Sequence, residues 1–249
     1  MFTATLARVR GVAHRPGGLC EDAAGVCTLT APGGRQLLLA LAADGAGSAL
    51  QGATGAHIAV RSQQTAITRL VATRGFPTAG DIHRWLAEVK ANLDLTARRF
   101  DLTPRDFACT VLGALWAEDG EVALWQLGDG AIVAQATEWF GLAFIPDTGR
   151  YANQTKFLSD ADALAQVQVH VGRHPSLTGV ALMTDGLQGV SIHGATLTPH
   201  APFFTPLFTD LGAIPSGLDR RRRLRQFLDG PALNARTDDD KTLLLAWRA

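Results

Sequence analysis

Three stretches of this chain run apolar for several residues and then stop on Asp-Gly. They are LLLALAADGAG, which closes on Asp44, EVALWQLGDGA, which closes on Asp129, and GVALMTDG, which closes on Asp185. A fourth acidic cluster, Asp238-Asp239-Asp240, does the reverse and opens the run KTLLLAW. Apolar runs this short read as buried strands. Each therefore delivers a carboxylate to the place where a strand enters or leaves the core. If those strand ends converge, several carboxylates share one small volume, and like charges at close range require cations to neutralise them.

The rest of the chain sets the frame for that site. At 249 residues, 47% of them hydrophobic, there is enough material for one large core, and no linker divides it, so residues 1–249 read as a single domain. Lys+Arg 23 balances Asp+Glu 23, so no global field recruits nucleic acid or an anionic membrane. Cys20, Cys27 and Cys109 form no CxxC pair, and their odd number argues for a reduced setting over a disulfide framework. The opening MFTATLARVRGVAHRPGG has no long apolar stretch, so neither a secretory signal nor a membrane span is expected. The expectation is a soluble, cytoplasmic protein.

Strands are predicted over 3–9, 26–30 and 36–43, with Gly33-Gly34 turning between the last two. Ile58, Ala59, Ala66, Ile67, Leu70 and Val71 recur at helical spacing, and that helix should end near Gly75-Phe76-Pro77. A second helix is predicted over 80–100, with Ile82, Trp85, Leu86, Val89 and Leu93 on one face. Strands at 110–117 and 122–127 flank the hairpin signal Glu118-Asp119-Gly120-Glu121. Residues 146–163 look irregular, strands follow at 167–171 and 180–183, and the Pro- and Phe-rich 198–215 reads as a packed loop with a short helix. An amphipathic helix over Gly217–Leu228 and a last strand at 242–247 complete an α+β domain with mainly antiparallel sheets.

Asp-Gly is also a common turn dipeptide, chosen for backbone conformation alone. Five occur here, and two behave as turns: Asp119-Gly120 sits in a polar hairpin, and Asp229-Gly230 precedes Pro231 at a helix end. The other three follow apolar runs with no polar shoulder. Oxygen ligands without a His or Cys cluster select Mg²⁺ or Mn²⁺ over Zn²⁺. Two such ions lower the pKa of a shared water and clamp an anion, which suits phosphate ester hydrolysis. A glycine after the Asp lets the backbone approach closely and leaves a carbonyl free as a ligand.

The order ED, DGxG, T, GDG, TDG and DDxT resembles the metal-dependent Ser/Thr protein phosphatases of type 2C, most closely their short bacterial branch. The matching segments are GVAHRPGGLCEDA (11–23), ADGAGSA (43–49), ACTVLGALW (108–116), LGDG (127–130), YANQTKF (151–157), MTDGLQGV (183–190), HAPFF (200–204) and DDKTLLL (239–245). The resemblance implies a four-layer α-β-β-α sandwich with central, mainly antiparallel sheets and metals at one end between them. It implies that Asp44 bridges two Mg²⁺ or Mn²⁺ ions, with the Gly45 carbonyl on one and Asp185 and Asp239 on the second. Glu21 or Asp22 would contact metal-bound water, with Asp22 preferred because it fits the branch's C-x-D pattern. Asp129 would support a weaker third ion, and a bridging hydroxide would attack phosphorus in line. On that basis Asp22, Asp44, Asp185 and Asp239 are the catalytic candidates.

Two positions depart from the larger family, which often has His in DGHG where this chain has Ala46, and Arg four residues before the acidic pair where it has Gly17. Arg15 or His14 would then supply the phosphate contact, against a plain surface Arg and strand His. Asn153 and Thr155 fall where the family has a flap, or cap an ordinary loop. The four arginines at 220–223 read as a solvated helix face or as a docking surface for an acidic partner. His57, His193 and His200 have no ligand spacing, and Cys109 reads as a small buried residue. The function implied is hydrolysis of phosphoserine or phosphothreonine in a protein, opposite a Ser/Thr kinase and in some cases with a von Willebrand A-type partner. The competing readings are a phosphatase-like module that binds phosphoprotein without turnover, and hydrolysis of a small phosphate ester.

Overall fold

A strand in which nearly every residue is apolar needs cover on both faces, and residues 37–42 find it. Leu37, Leu39 and Leu41 point into a core shared with helices, while Leu38, Ala40 and Ala42 point into a second core between two sheets. The computed structural model describes residues 1–14, 17–137, 139–146 and 155–248. In chain order its strands are β1 (Phe2–Val9), β2 (Ala23–Thr30), β3 (Gln36–Ala43), β4 (Val111–Ala117), β5 (Glu121–Leu127), β6 (Ala131–Ala136), β7 (Trp139–Leu142), β8 (Gln168–Arg173), β9 (Leu177–Met183), the short β10 (Ile192–His193) and β11 (Thr198–Pro199), and β12 (Lys241–Arg248). The helices are α1 (Gly52–Arg74), α2 (Ala79–Arg99), the single turns α3 (Ala163–Gln166) and α4 (Gln188–Ser191), α5 (Ala201–Gly212), α6 (Gly217–Leu228) and the short α7 (Pro231–Asn234).

One five-stranded sheet has the order β1-β12-β9-β6-β7 and the other β2-β3-β4-β5-β8, and every described pairing is antiparallel. Ile67, Ile82, Leu86 and Leu93 of α1 and α2 cover the outer face of the second sheet. Phe204 and Phe208 of α5 and Leu224 and Leu228 of α6 cover the first, against Val9, Leu243 and Leu245. The result is the expected four-layer α-β-β-α sandwich. Among the described residues no helix is long and apolar enough to cross a membrane.

Besides the unpredicted strands β6, β10 and β11 and the one-turn helices, two elements differ from the sequence reading. Residues 201–212 form a helix of 12 residues with Pro206 inside it, where a packed loop with a short helix was expected. Phe204, Leu207, Phe208 and Leu211 recur at i, i+3, i+4 and i+7 and are all buried, so packing outweighs the proline. Strand β7, antiparallel to β6, was not anticipated. Residues 147–154 of the irregular 146–163 stretch, Asn153 among them, lie outside the described residues.

The two long helices are joined by one carboxylate. Thr78 and Asp81 form a reciprocal cap at the start of α2: Asp81 Oδ2 accepts from Thr78 N (3.0 Å) and Oγ1 (2.7 Å), and Thr78 Oγ1 accepts from Asp81 N (3.2 Å). Arg84 (2.7 Å) and Arg74, the last residue of α1 (3.0 Å), pair with Asp81 Oδ1. The Thr78 bonds, helped by the arginines, hold the Asp81 carboxyl down at about 2. A depressed acid stabilises the fold above its unfolded pKa and loses that effect as pH falls through the folded one. Asp81→Ala should cost about 1–2 kcal/mol at neutral pH, allowing for solvent around the exposed arginines. In thermal denaturation at stepped pH, the gap to the parent protein should close between pH about 4 and pH about 2; a constant gap would disprove the assignment.

Candidate metal centre

Antiparallel pairing puts the end of one strand beside the start of the next. Ala42 pairs with Leu112, Ala43 with Ala23, and Met183 with both Leu243 and Ala131. Continued outward, those registers bring Asp44, Thr110, Asp22, Asp185, Asp239 and Asp129 to one rim of the sandwich. Asp119 lies on the opposite rim, where Arg35 pairs with it (2.6 Å) and with Glu121 (2.5 Å). Asp229 ends α6. Neither borders the cavity described next.

At the rim the backbone is held tightly. Asp44 N donates to Thr110 Oγ1 (2.9 Å), and Thr110 N returns a bond to the Asp44 carbonyl (2.8 Å). Gly45 N reaches the Glu21 carbonyl (3.2 Å) and Ala46 N the Ala108 carbonyl (2.9 Å). A Cβ on Gly45 would stand 2.3 Å from the Gly52 carbonyl carbon, and one on Gly186 would stand 2.0 Å from the Asp240 carbonyl oxygen. At both positions only glycine lets the chains come this close. Gln188 donates to the Asp129 carbonyl and Thr155 Oγ1 to the Asp129 carboxylate.

The rim encloses a cavity of about 250 Å³ lined by His14, Glu21, Asp44, Asp129, Asp185, Asp239 and Asp240, with Gly45 and Thr155 also on its wall. Of the acidic pair, Glu21 borders the cavity. Asp22, preferred from the sequence, is fully buried behind it and accepts from Thr242 Oγ1 (2.6 Å) and Thr184 Oγ1 (2.9 Å). Arg15 lies outside the described residues. His57, His193 and His200 are elsewhere, the last two in contact with each other at 3.0 Å.

The electrostatics follow from crowding. Burial, then the charges of Asp22 and Asp185, push Asp44 well up; the hydrogen bond it shares with Asp185 favours the proton on Asp44. Burial also raises Asp185, against that bond and with the help of Asp129 and Asp239. Burial raises Asp22 despite its two threonine partners, and raises Glu21 despite His14. One Asp185 oxygen is buried with no hydrogen-bond partner. Acids that resist ionisation beside an unused oxygen are what a hard cation would relieve. Among the described residues no three acidic, imidazole or thiol groups are already closed around one point as a finished ligand set; they ring the cavity, and their chemistry fits Mg²⁺ or Mn²⁺.

Residues 10–229 match the family described as protein phosphatase 2C. The chain belongs to the protein phosphatase 2C family. Serine/threonine-protein phosphatase 3 of Escherichia coli (strain K12) is 36% identical over 231 residues, 91% of this chain and 90% of that one. The crystal structure of serine/threonine phosphatase Stp1 from Staphylococcus aureus superposes with a TM-score of 0.68 at 16% identity, covering 100% of this chain and 96% of its own. A bacterial serine phosphatase does so with 0.67, also at 16% identity, over 99% and 98%. Those two likenesses concern the fold.

In this member of the phosphatase 2C family, one residue at the rim was missed from the sequence. Asp240 is buried and its carboxylate accepts from Gly11 N (2.6 Å) and Glu21 N (2.5 Å). His14 Nδ1 stands 3.1 Å away, an ion pair and not an aligned hydrogen bond. Burial opposes protonation of His14, but the Asp240 carboxylate outweighs it and raises the imidazole. Within the triplet Asp238-Asp239-Asp240 only the strand's alternation separates these roles, and the sequence does not display its phase. Asp240→Ala leaves two backbone donors without their acceptor and should cost about 2–4 kcal/mol. Asp240→Asn, which keeps one acceptor oxygen, should recover part of it. Urea denaturation of the two variants checks this, and equal losses would refute the anchoring role.

Proposed function

We propose that this chain is a divalent-metal-dependent protein phosphatase that removes phosphoryl groups from serine or threonine. The observation that carries the reading is the gathering of Glu21, Asp44, Asp129, Asp185 and Asp239 around one open cavity, in a phosphatase 2C chain. Asp44, the Gly45 carbonyl, Asp185 and Asp239 would hold two Mg²⁺ or Mn²⁺ ions, and Asp129 a third. Bound ions of this kind supply a water with a lowered pKa and offset the charge of the phosphoryl group.

The chain's own groups do the rest. Glu21 borders the cavity as a hydrogen-bond acceptor for an attacking water, its main chain fixed by Asp240. His14, whose protonated form the neighbouring Asp240 carboxylate favours, lines the cavity where it can contact the phosphoryl oxygens. Among the described residues it is also the imidazole on the cavity wall that can hand a proton to the departing alkoxide, a role in which Ala46 has no chemistry to offer. The open, polar cavity suits a side chain presented by a protein surface. The phosphoryl groups removed must first be installed by an ATP-dependent kinase, which sets the chain in a compartment holding ATP.

The test is phosphate release from a phosphothreonine peptide and from p-nitrophenyl phosphate, with Mn²⁺, with Mg²⁺ and with chelator. Asp44→Ala and Asp185→Ala should each lose roughly a thousandfold in kcat/KM, as expected when several kcal/mol of transition-state stabilisation go. Asp119→Ala should stay within about twofold, the range of a neutral surface change. Mn²⁺ at about a hundred times its Kd should stabilise the fold by about 2.7 kcal/mol, and the Asp44→Ala variant should lack that shift. A chain that binds phosphopeptide yet releases no phosphate with any metal would instead be a binding module.

A further inference from the structure

A second cavity, of about 550 Å³, lies between β1 and α6 and is lined by Arg8 and Arg10 from the strand side and by Arg221 and Arg225 from the helix. Among the described residues on its wall, four are arginines and one, Asp229, carries a carboxylate. The two walls are of different character. Arg8 and Arg10 are half-buried and donate to the carbonyls of Asp22 and Gly18, bracing the loop that carries the acidic pair. Arg221 and Arg225 are exposed on α6.

The position of this groove gives it meaning. Gly18, Leu19 and Cys20 line it, whereas the next residue, Glu21, lines the carboxylate cavity. The two cavities are thus separated by one thickness of chain. A substrate segment flanking a phosphorylated side chain in the carboxylate cavity is therefore the part of a protein substrate placed to reach the groove. Leu19, 75% exposed, adds an apolar contact at its edge.

We infer that the groove between β1 and α6 takes up an acidic segment flanking the phosphorylated residue of the protein substrate, a reading that rests on the function proposed above. Guanidinium forks pair with Asp and Glu carboxylates in bidentate fashion. Two features favour a peptide over nucleic acid. The chain carries no net charge, Lys+Arg 23 against Asp+Glu 23, and the arginines line a half-open groove with Leu6 and Leu19 on its wall, not a broad basic face.

The test compares two phosphothreonine peptides, one with Asp and Glu around the phosphoresidue and one with Ala and Gln. The acidic peptide should be preferred about tenfold in kcat/KM, mainly through KM, and the preference should shrink as salt rises. Arg221→Glu combined with Arg225→Glu should bring the ratio of the two peptides to about one or invert it, while Arg61→Glu on α1 should leave it unchanged. Because the readout is a ratio within each protein, a general loss of turnover does not mimic the effect. Anisotropy of the labelled acidic phosphopeptide in chelator reads docking without catalysis. A chain that hydrolyses neither peptide nor p-nitrophenyl phosphate, yet binds the acidic peptide through Arg221 and Arg225, would lose the phosphatase reading and keep the groove. A parent protein with no preference, or a double variant that retains it, overturns the proposal. So does displacement by single-stranded DNA as effective, charge for charge, as by the acidic peptide.

Discussion

Like charges gathered at one rim of an apolar sandwich repel one another, and the site depends on how the fold holds them there. It does so by tying down main chain. Thr110 clamps the backbone of Asp44, Gln188 binds the Asp129 carbonyl, and Thr184 and Thr242 bond to each other beside Asp185. Two acids behind the cavity serve this scaffold: Asp240 gives both oxygens to backbone amides, and Asp22 gives one oxygen to two threonine hydroxyls, its other oxygen being buried without a partner. The acids that face the cavity keep lone pairs in hand, as the unpartnered oxygen of Asp185 illustrates. Nearly identical side chains therefore divide into scaffold groups and cavity-facing groups according to which side of the backbone they leave from.

The antiparallel sheets explain why acids on both sides of strands can meet. Asp44, Asp129 and Asp185 follow their strands, whereas Glu21 and Asp239 precede theirs. In a parallel sheet those two sets would lie at opposite ends. Here they share a rim, and turns such as Asp119 fall at the other. The rim is rigid because the strands behind it are packed on both faces: β3 and β12 each divide their leucines between two cores. The helical cover is locked in the same spirit, Trp125 donating to the buried Gln63 (2.7 Å) and packing edge-on against Trp85.

Much of this was legible beforehand. The apolar runs before Asp-Gly gave β3, β5 and β9, the hairpin at Asp119 was plain from its polar turn, and Gly217–Leu228 matches α6 residue for residue. What escaped did so for physical reasons. Helix α5 has its apolar residues at helical spacing, but two prolines and clustered phenylalanines masked the period. Strand β7 is four residues long and exposed or half-buried, with little pattern to read. At the site, adjacent acids are indistinguishable in composition: a one-residue change of phase moves Glu21 to the cavity and Asp22 to the interior. The same ambiguity hid Asp240 behind Asp239. Local chemistry revealed that carboxylates gather, and only the pairing register reveals which of two neighbours faces in.

The segment from Gly11 to Asp22 is where these constraints meet. On one side Asp240 accepts from the amides of Gly11 and Glu21; on the other Arg8 and Arg10 donate to the carbonyls of Asp22 and Gly18. An acid thus binds two N–H groups of the described part of this stretch, and two bases bind two of its C=O groups. A single thickness of chain then separates a negatively lined cavity from a positively lined groove. Both clamps therefore bear on where Glu21 stands relative to the carboxylates opposite. The bases near the rim therefore act on its geometry through the backbone they hold as well as through their charge.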